Sequence, residues 1–323
     1  MRGLTNFGNT CYISSMLQCL HAIPAFKKVI TADGVMGRSP LVAALGRVMR
    51  SMDADGDCDR PVPLGPLLNC LVKHLGDLNQ QEDTQAFLLK FLDAISNDGM
   101  PPKNKKATRN SNNTATTATS MQELQGVLDT QWQRSLEETS DVTQMFYGQN
   151  VAQVRCGGCG MLTHTSDVFT VLNLVPPFGV LAGSQVDIDA CVKAHFASSA
   201  IDGYECHSCH RHHPAERTLR LWRAPSVLVI GVPPYLFGGF DLVAKVALDL
   251  GTFHVVAPNH TAQYALQSMV CHGGSMPQGG HFWSVRRGDT KATCNQWFSC
   301  NDEVVSKAVT MEKPYMLFYT RVK

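Results

Sequence analysis

A cysteine opening a helix, a histidine at the mouth of a strand and two Cys-x-x-Cys pairs are the parts of this sequence that could do chemistry. Cys11 stands in Gly3-Leu4-Thr5-Asn6-Phe7-Gly8-Asn9-Thr10-Cys11-Tyr12. Ile13, Met16, Leu17 and Leu20 follow at the spacing of one buried helix face, which puts Cys11 in the first helical turn. Unpaired backbone N–H groups and the positive end of the helix dipole favour thiolate there, and thiolate is the form that attacks. The plainer reading is a small buried core residue, as free cysteines usually are.

A nucleophilic thiol needs a base to take its proton and a third group to hold the base. Of the twelve histidines, His281 is best placed, because Gly279-Gly280 lead it into a strand whose edge can face a cleft. Its nearest rival is His272, in Val270-Cys271-His272-Gly273. Twenty residues after His281, Asn301 and Asp302 end the strand-like Trp297-Phe298-Ser299-Cys300 and offer an orienting carbonyl or carboxylate.

Cys156-Gly157-Gly158-Cys159 and Cys206-His207-Ser208-Cys209 each have the tight spacing that lets two thiolates reach one ion. Four sulfurs around tetrahedral zinc is the expected product. All-cysteine ligation leaves no open position for water, so the role would be structural. Two independent pairs, or redox motifs, are the alternative, and His207, His210, His212 and His213 stand close enough to replace a cysteine.

The chain has 323 residues, 44% of them hydrophobic, enough for a substantial core. Charged residues are 17% and the net charge is +1, which does not suggest a nucleic-acid or membrane-surface binder. No apolar stretch approaches the roughly 18 residues of a spanning helix, so membrane insertion is not expected. Twelve cysteines without a signal peptide suggest a reducing compartment, cytoplasm or nucleus. The start ten residues before Cys11 leaves no room for an N-terminal targeting domain, and a monomer is expected.

The elements that must position these groups are helical first and stranded after. Beyond the Cys11 helix, Leu41 to Met52, Leu64 to Leu75 and a stretch from about Asp83 carry helical spacing. Residues 100 to 120 have almost nothing to bury and read as a disordered insertion. Met121, Leu124, Leu128, Trp132 and Leu136 resume a helix. Strands are expected at Asn150 to Arg155, Leu162 to Leu174, Val227 to Val232, His254 to Ala257, Tyr264 to Cys271, Phe282 to Arg287 and Tyr315 to Arg321, with one helix at Gln185 to Phe196 capped by Ser184. The sum is an α+β fold, helices and then an antiparallel sheet.

Read together, these segments resemble the ubiquitin-specific proteases. Gly3 to Leu20 is similar to their cysteine box, and Tyr264 to Val285 with Trp297 to Val304 to their histidine box. Between and beyond these, Gln81-Glu82-Asp83-Thr84-Gln85-Ala86-Phe87-Leu88, Phe146-Tyr147-Gly148-Gln149 and Pro314-Tyr315-Met316-Leu317-Phe318-Tyr319 resemble further family motifs in the same order. The resemblance implies a papain-like cysteine protease fold with a helical thumb (1–99), the insertion (100–120) and a palm (121–323) carrying zinc-bearing fingers (roughly 148–225). It implies a deubiquitinase in which Cys11 attacks the carbonyl of the C-terminal glycine of ubiquitin. His281 would be the base, Asn301 the orienting group with Asp302 sharing the role, and Asn6 an oxyanion donor. Cys156, Cys159, Cys206 and Cys209 would hold structural zinc, and Asp83 would contact the ubiquitin tail. Ala86 stands where the family commonly has Glu, Gly231-Val232-Pro233-Pro234-Tyr235 where a basic-aromatic strand ending is usual, and Phe282 where Tyr is common. The alternatives are a catalytically silent ubiquitin-binding module, a protease for a ubiquitin-like modifier and, remotely, a nucleic-acid-binding zinc ribbon.

Overall fold

A computed structural model describes residues 1–37, 39–53, 60–78, 80–98, 120–137, 139–232, 240–253, 262–274, 280–311 and 313–322. All of the expected 100–120 insertion except Ser120, and the strand expected at His254 to Ala257, lie outside these residues.

The first half is helical: α1 (Cys11–His21), α2 (Pro24–Ile30), α3 (Asp33–Met36), α4 (Pro40–Asp53), α5 (Gly65–Leu75), α6 (Thr84–Asp98), α7 (Met121–Glu137) and α8 (Asp141–Gln144). Helix α1 is buried along every face, including Ser14, Ser15, Gln18 and His21. A helix dry all round must satisfy its polar side chains internally. The Gln18 amide accordingly donates to the Arg2 carbonyl at 2.9 Å and the Ser15 hydroxyl to the Tyr12 carbonyl at 3.2 Å. Helix α6 packs across α1, with Phe87 edge-on to Tyr12 at 5.3 Å and stacked on Phe91 at 5.4 Å between ring centroids. Its first turn is capped by Asp83, whose Oδ1 accepts from the Gln85 and Ala86 N–H groups at 2.8 and 2.9 Å.

The second half builds three sheets from β1 (Gly148–Cys156), β2 (Leu162–Phe169), β3 (Val171–Asn173), β4 (Gln185–Asp187), β5 (Ser199–Glu205), β6 (His212–Arg223), β7 (Val227–Gly231), β8 (Asp241–Val243), β9 (Ala247–Asp249), β10 (Gln263–Gly273), β11 (His281–Arg287), β12 (Trp297–Asn301), β13 (Val304–Lys307) and β14 (Pro314–Arg321). One eight-stranded sheet runs β13-β12-β11-β10-β14-β7-β3, with β9 also on β10. It is antiparallel except at β3–β7, a parallel pair. A four-stranded antiparallel sheet runs β2-β1-β6-β5, and β4 pairs β8 in parallel. Helix α9 (Ile188–Phe196) lies with the second core, which includes Cys191, Phe196, Leu228, Ile230, Tyr264 and Leu317. The first core joins α1 and its neighbouring helices to Val229, Val270, Phe282, Met316 and Phe318 of the eight-stranded sheet. Among the described residues no helix is long and apolar enough to cross a membrane.

Three expectations need correction. The stretch expected to be one strand from Leu162 to Leu174 divides at Thr170 into β2 and β3, which belong to different sheets. Apolar residues continue through the joint, so no turn residue marks it. The helix expected from Gln185 begins only at Ile188, because Gln185–Asp187 pair with β8. Its cap is Asp187, which accepts from the Asp189 N–H at 2.9 Å, and not Ser184. Strands β5 and β6 went unanticipated because most of their outer residues are exposed and few are apolar.

Phe87 is wholly buried between α1 and α6. Phe87→Ala should lower unfolding free energy by about 3–5 kcal/mol. Urea titration followed by tryptophan fluorescence measures this, and an unchanged midpoint would mean α1 does not depend on that contact.

Candidate active site

The segment before α1 is threaded between two parts of the chain. Val62 N–H donates to the Gly3 carbonyl at 2.8 Å and Thr5 N–H to the Val62 carbonyl at 3.1 Å. On the other side Leu4 N–H donates to the Asp302 carbonyl at 2.8 Å. Gly3 is needed for this close approach: a Cβ there would sit 2.0 Å from the Glu303 carbonyl oxygen. The N-terminal segment thereby lies against the turn that joins β12 to β13.

That seating delivers Cys11 to the start of a helix without a side-chain cap. Thr10 is the N-cap residue but makes no capping bond. Its hydroxyl instead donates to Asn6 Oδ1 at 3.0 Å and accepts from the Phe7 N–H at 3.0 Å. The Ile13 and Ser14 N–H groups both donate to the Thr10 carbonyl at 3.0 Å, so only those of Cys11 and Tyr12 precede the first intrahelical bond. Cys11 itself is 3% exposed.

The base comes from the sheet. His281 is the first residue of β11, where Gly273 of β10 pairs with it. Gly280, immediately before, admits the close packing, since a Cβ there would lie 2.2 Å from His272 Nε2. His281 Nε2 is 2.6 Å from Asn301 Oδ1 at the end of β12. A carbonyl oxygen only accepts, so with this amide orientation the imidazole proton is on Nε2 and Nδ1 is left with a lone pair to take a thiol proton. The ring stacks on Trp283, with centroids 6.4 Å apart and planes at 17°. His272, the rival, is buried against Phe282 and Tyr315, with no hydrogen bond to its Nε2 among the described residues.

Asp302 is drawn in by its backbone. It sits at φ +48° in the turn after Asn301, a left-handed conformation that Asp tolerates better than most residues. Its Oδ2 accepts from Asn6 Nδ2 at 2.8 Å and lies 4.0 Å from His281 Nε2. Asn6 is therefore held at both ends, its oxygen by Thr10 and its amide by Asp302, with one N–H left over. Cys11, Thr10, Asn6, Asp302, Asn301 and His281 form one hydrogen-bonded and sequence-linked run.

Asp83 is placed differently from a free tail contact. Beyond capping α6, its Oδ2 accepts from the Tyr315 hydroxyl, so both oxygens already have partners within the fold. Gln81 reaches across from the helical side to donate to the Gly280 carbonyl beside His281. Gln81 opens the Gln81–Leu88 motif, and its position there carries no sign of this contact. Thr10 was missed as well, although its position directly before the nucleophile was the available signal.

The two Cys-x-x-Cys pairs meet at the far end of the four-stranded sheet, with Cys156, Cys159, Cys206 and Cys209 sulfurs all within 4.8 Å of one another. Cys159 and Cys206 sulfurs are 3.6 Å apart. The two turns share one geometry. In the first, Cys156 accepts from the Gly160 N–H at 2.9 Å and its own N–H donates to Met161 at 3.0 Å. In the second, Cys206 accepts from His210 at 2.9 Å and donates to Arg211 at 3.1 Å. Gly160 (φ +72°) and His210 (φ +53°) hold the equivalent left-handed position, which gives His210 a backbone duty. N–H groups of Cys209 and Ser208, then neighbouring sulfurs, bring Cys206 down to about 6. Cys159 has one favourable backbone bond near Met161, but desolvation and the sulfurs of Cys206, Cys156 and Cys209 push it up to about 11. Four thiols this close together are a donor set that could take one metal ion.

A helix-borne thiol, a strand-borne imidazole and the Asn301 amide beside it are set between a helical half and a mostly antiparallel sheet. The family described as "Ubiquitin carboxyl-terminal hydrolase" matches residues 2–319, and the chain belongs to it. Ubiquitin carboxyl-terminal hydrolase 25 of Arabidopsis thaliana is 27% identical over 347 residues, covering 99% of this chain and 47% of that protein. Ubiquitin carboxyl-terminal hydrolase 36 of Drosophila grimshawi is 25% identical over 338 residues, covering 98% of this chain and 25% of that protein. The chain thus spans half or less of the length of these relatives. In fold it is similar to the solved "SAGA Ubp8/Sgf11/Sus1/Sgf73 DUB module bound to ubiquitin aldehyde", with a TM-score of 0.73 at 20% identity, covering 100% of this chain and 70% of that one.

Gly3→Ala should push the N-terminal segment off Glu303 and lower unfolding free energy by about 1–3 kcal/mol, the usual cost of overpacking. Calorimetry checks this, and a wild-type melting temperature would mean that the segment can move away at no cost.

Proposed function

We propose that this chain is a thiol-dependent deubiquitinase that hydrolyses the isopeptide or peptide bond after the C-terminal glycine of ubiquitin. The observation that carries the reading is the 2.6 Å bond from His281 Nε2 to Asn301 Oδ1, which orients the imidazole as a base, in a chain whose family match runs through both Cys11 and His281. Cys11 loses its proton to His281 Nδ1 and its sulfur attacks the glycine carbonyl. The oxyanion is received by the Cys11 backbone N–H and the free N–H of Asn6. The imidazolium then protonates the departing lysine amine, leaving a thioester at Cys11. Water, deprotonated by His281, hydrolyses it and restores the thiol. Asn301 holds the ring, and Asp302 acts by holding Asn6 and by placing a carboxylate near the imidazolium. Asp83 shapes the tail channel through Tyr315 and is the acidic group nearest to a basic tail in this reading.

In the same reading the helices before residue 99 are the thumb, the eight-stranded sheet the palm and the four-stranded sheet the fingers. Zinc is the metal proposed at the finger tip. Tetrahedral ligation at about 2.3 Å puts sulfurs about 3.8 Å apart, and the Cys159–Cys206 separation of 3.6 Å fits that edge. All eleven described cysteines are free, which agrees with action in a reducing cytoplasm or nucleus.

Intact-mass detection of an adduct with ubiquitin carrying a C-terminal electrophile tests the central claim. Wild type should gain one ubiquitin and Cys11→Ala none, while Cys11→Ala still binds free ubiquitin. No adduct on a folded wild type would favour a silent binder or a different modifier, which the same probe built on ubiquitin-like proteins separates.

Cys156→Ser should lower both bound zinc and the melting temperature, because metal binding is folding energy at such a site. Elemental analysis that finds no zinc in the wild-type protein, with no loss of stability in the variant, removes the assignment.

A further inference from the structure

Arg286 is the largest fully buried side chain among the described residues. Burying a guanidinium is costly unless its charge and donors are matched, and here they are matched by α1 and by the loop after β11. Nη1 donates to Gln18 Oε1 at 3.1 Å and to His21 Nδ1 at 2.8 Å, both in the second half of α1. Nη2 donates to the Asp289 carboxylate. Only Nε lacks a partner among the described residues.

The rest of the cluster fixes His21 in turn. A guanidinium has no lone pair, so the 2.8 Å contact requires Nδ1 of His21 to accept and puts its proton on Nε2. Nε2 faces the Met49 carbonyl at 3.2 Å and Asp53 Oδ1 at 3.1 Å, both from α4, and Asp53 is also paired with Lys27 of α2 at 2.9 Å. His21, Asp53 and Asp289 lie as close together as metal ligands do. Arg286 and Lys27 already bring the positive charge to that place, so the cluster is an ion-pair clamp.

The clamp and the reactive pair occupy opposite ends of the same two elements. From Cys11 to His21, α1 is about 15 Å long at 1.5 Å per residue. From His281 to Arg286, β11 covers about 16–17 Å at 3.3 Å per residue. The two elements pack together, on the strand face that carries Phe282, Ser284 and Arg286. The long side chain that reaches from β11 into α1 is Arg286.

We propose that Arg286 is a positioning residue for the reaction: by clamping the far end of α1 to the far end of β11, it sets the register that brings Cys11 to His281. The inference rests on the Cys11–His281 reading above. Register matters because displacement of a reacting group by about 1 Å can cost on the order of a hundredfold in rate.

The test compares wild type, Arg286→Met, Arg286→Lys, Asp289→Asn and His281→Ala. Alkylation of Cys11 by iodoacetamide is followed from pH 5 to 9 by mass spectrometry of the Cys11 peptide, which needs no ubiquitin. In wild type the imidazole should keep Cys11 reactive well below the pH at which ordinary thiols ionise, about 8.5, and His281→Ala should lose that acid limb. Arg286→Met should move toward the His281→Ala profile and lower kcat on a ubiquitin substrate by about 10–100-fold, with KM changed less than about twofold. Arg286→Lys, which keeps the charge but cannot reach all three partners, should recover part of both, and Asp289→Asn should shift the profile in the same direction by less. Circular dichroism over the same pH range confines the comparison to conditions where each variant is folded, because an unfolded chain is alkylated with the profile of an ordinary thiol. A folded Arg286→Met with the wild-type profile and kcat overturns the proposal. If Arg286→Met does not fold, unchanged profiles in folded Arg286→Lys and Asp289→Asn overturn it. If His281→Ala leaves the profile unmoved, the Cys11–His281 reading fails and the clamp falls with it.

Discussion

Burial of α1 between the helical half and the eight-stranded sheet is the contact on which the rest of the structure depends. No face of this helix meets water, and among the described residues all its buried polar side-chain atoms but Ser14 Oγ are answered within the fold, several of them by other elements. The answers come from far along the chain: Arg2 for Gln18, Ser268 of β10 for the Cys19 carbonyl at 3.1 Å, Thr84 of α6 for the Tyr12 carbonyl at 3.4 Å, and Arg286 for Gln18 and His21. A buried unpaired polar group costs more than a made bond returns, so these contacts act mainly by excluding other placements of the helix. The nucleophile inherits its position from that exclusion.

The base is positioned by a different device. Antiparallel pairing puts Gly273 opposite His281 and Ser284 opposite Cys300, so the sheet ladder sets the distance from the imidazole to the end of β12. The turn after Asn301 then reverses through Asp302 in a left-handed conformation. That reversal sends the Asn301 side chain to His281 and the Asp302 side chain to Asn6. The same turn receives the N-terminal segment through the Leu4–Asp302 backbone bond and the close pass of Gly3. One turn therefore ties Asn301, Asn6 and the approach to Cys11 together.

The four-stranded sheet is built on other terms. Its small core of Leu124, Leu128, Val151 and Trp222 lies near α7, and β5 carries no buried residue at all. Toward its tip, backbone ladders and the four converging thiols replace apolar packing. Two turns with the same hydrogen-bond pattern, one using Gly160 and the other His210 in the left-handed position, bring the sulfurs together.

Much of this was legible in the residues. The spacing after Cys11 reported a buried helix, the Gly-Gly before His281 a strand opening, and the cysteine pairs a common ligand set, because each of these is a local pattern with one dominant physical outcome. The choice of His281 over His272 was not local. It follows from Asn301 being brought within 2.6 Å of one ring while the other is packed under Phe282 and Tyr315. The division of Leu162 to Leu174 between two sheets, and the capping of α9 by Asp187, were likewise decided by pairing partners distant in sequence. Arg286 stands at an inward position of β11, in step with Phe282 and Ser284, and a charge there signals a buried partner. What that partner is, the sequence by itself could not say, since Gln18 and His21 lie some 268 and 265 residues away and only the docking of α1 on the sheet brings them to the guanidinium. Periodicity and turn chemistry act between neighbours and are written in the chain; the meeting of polar groups across the core is set by tertiary packing, which decides which of them are left without water.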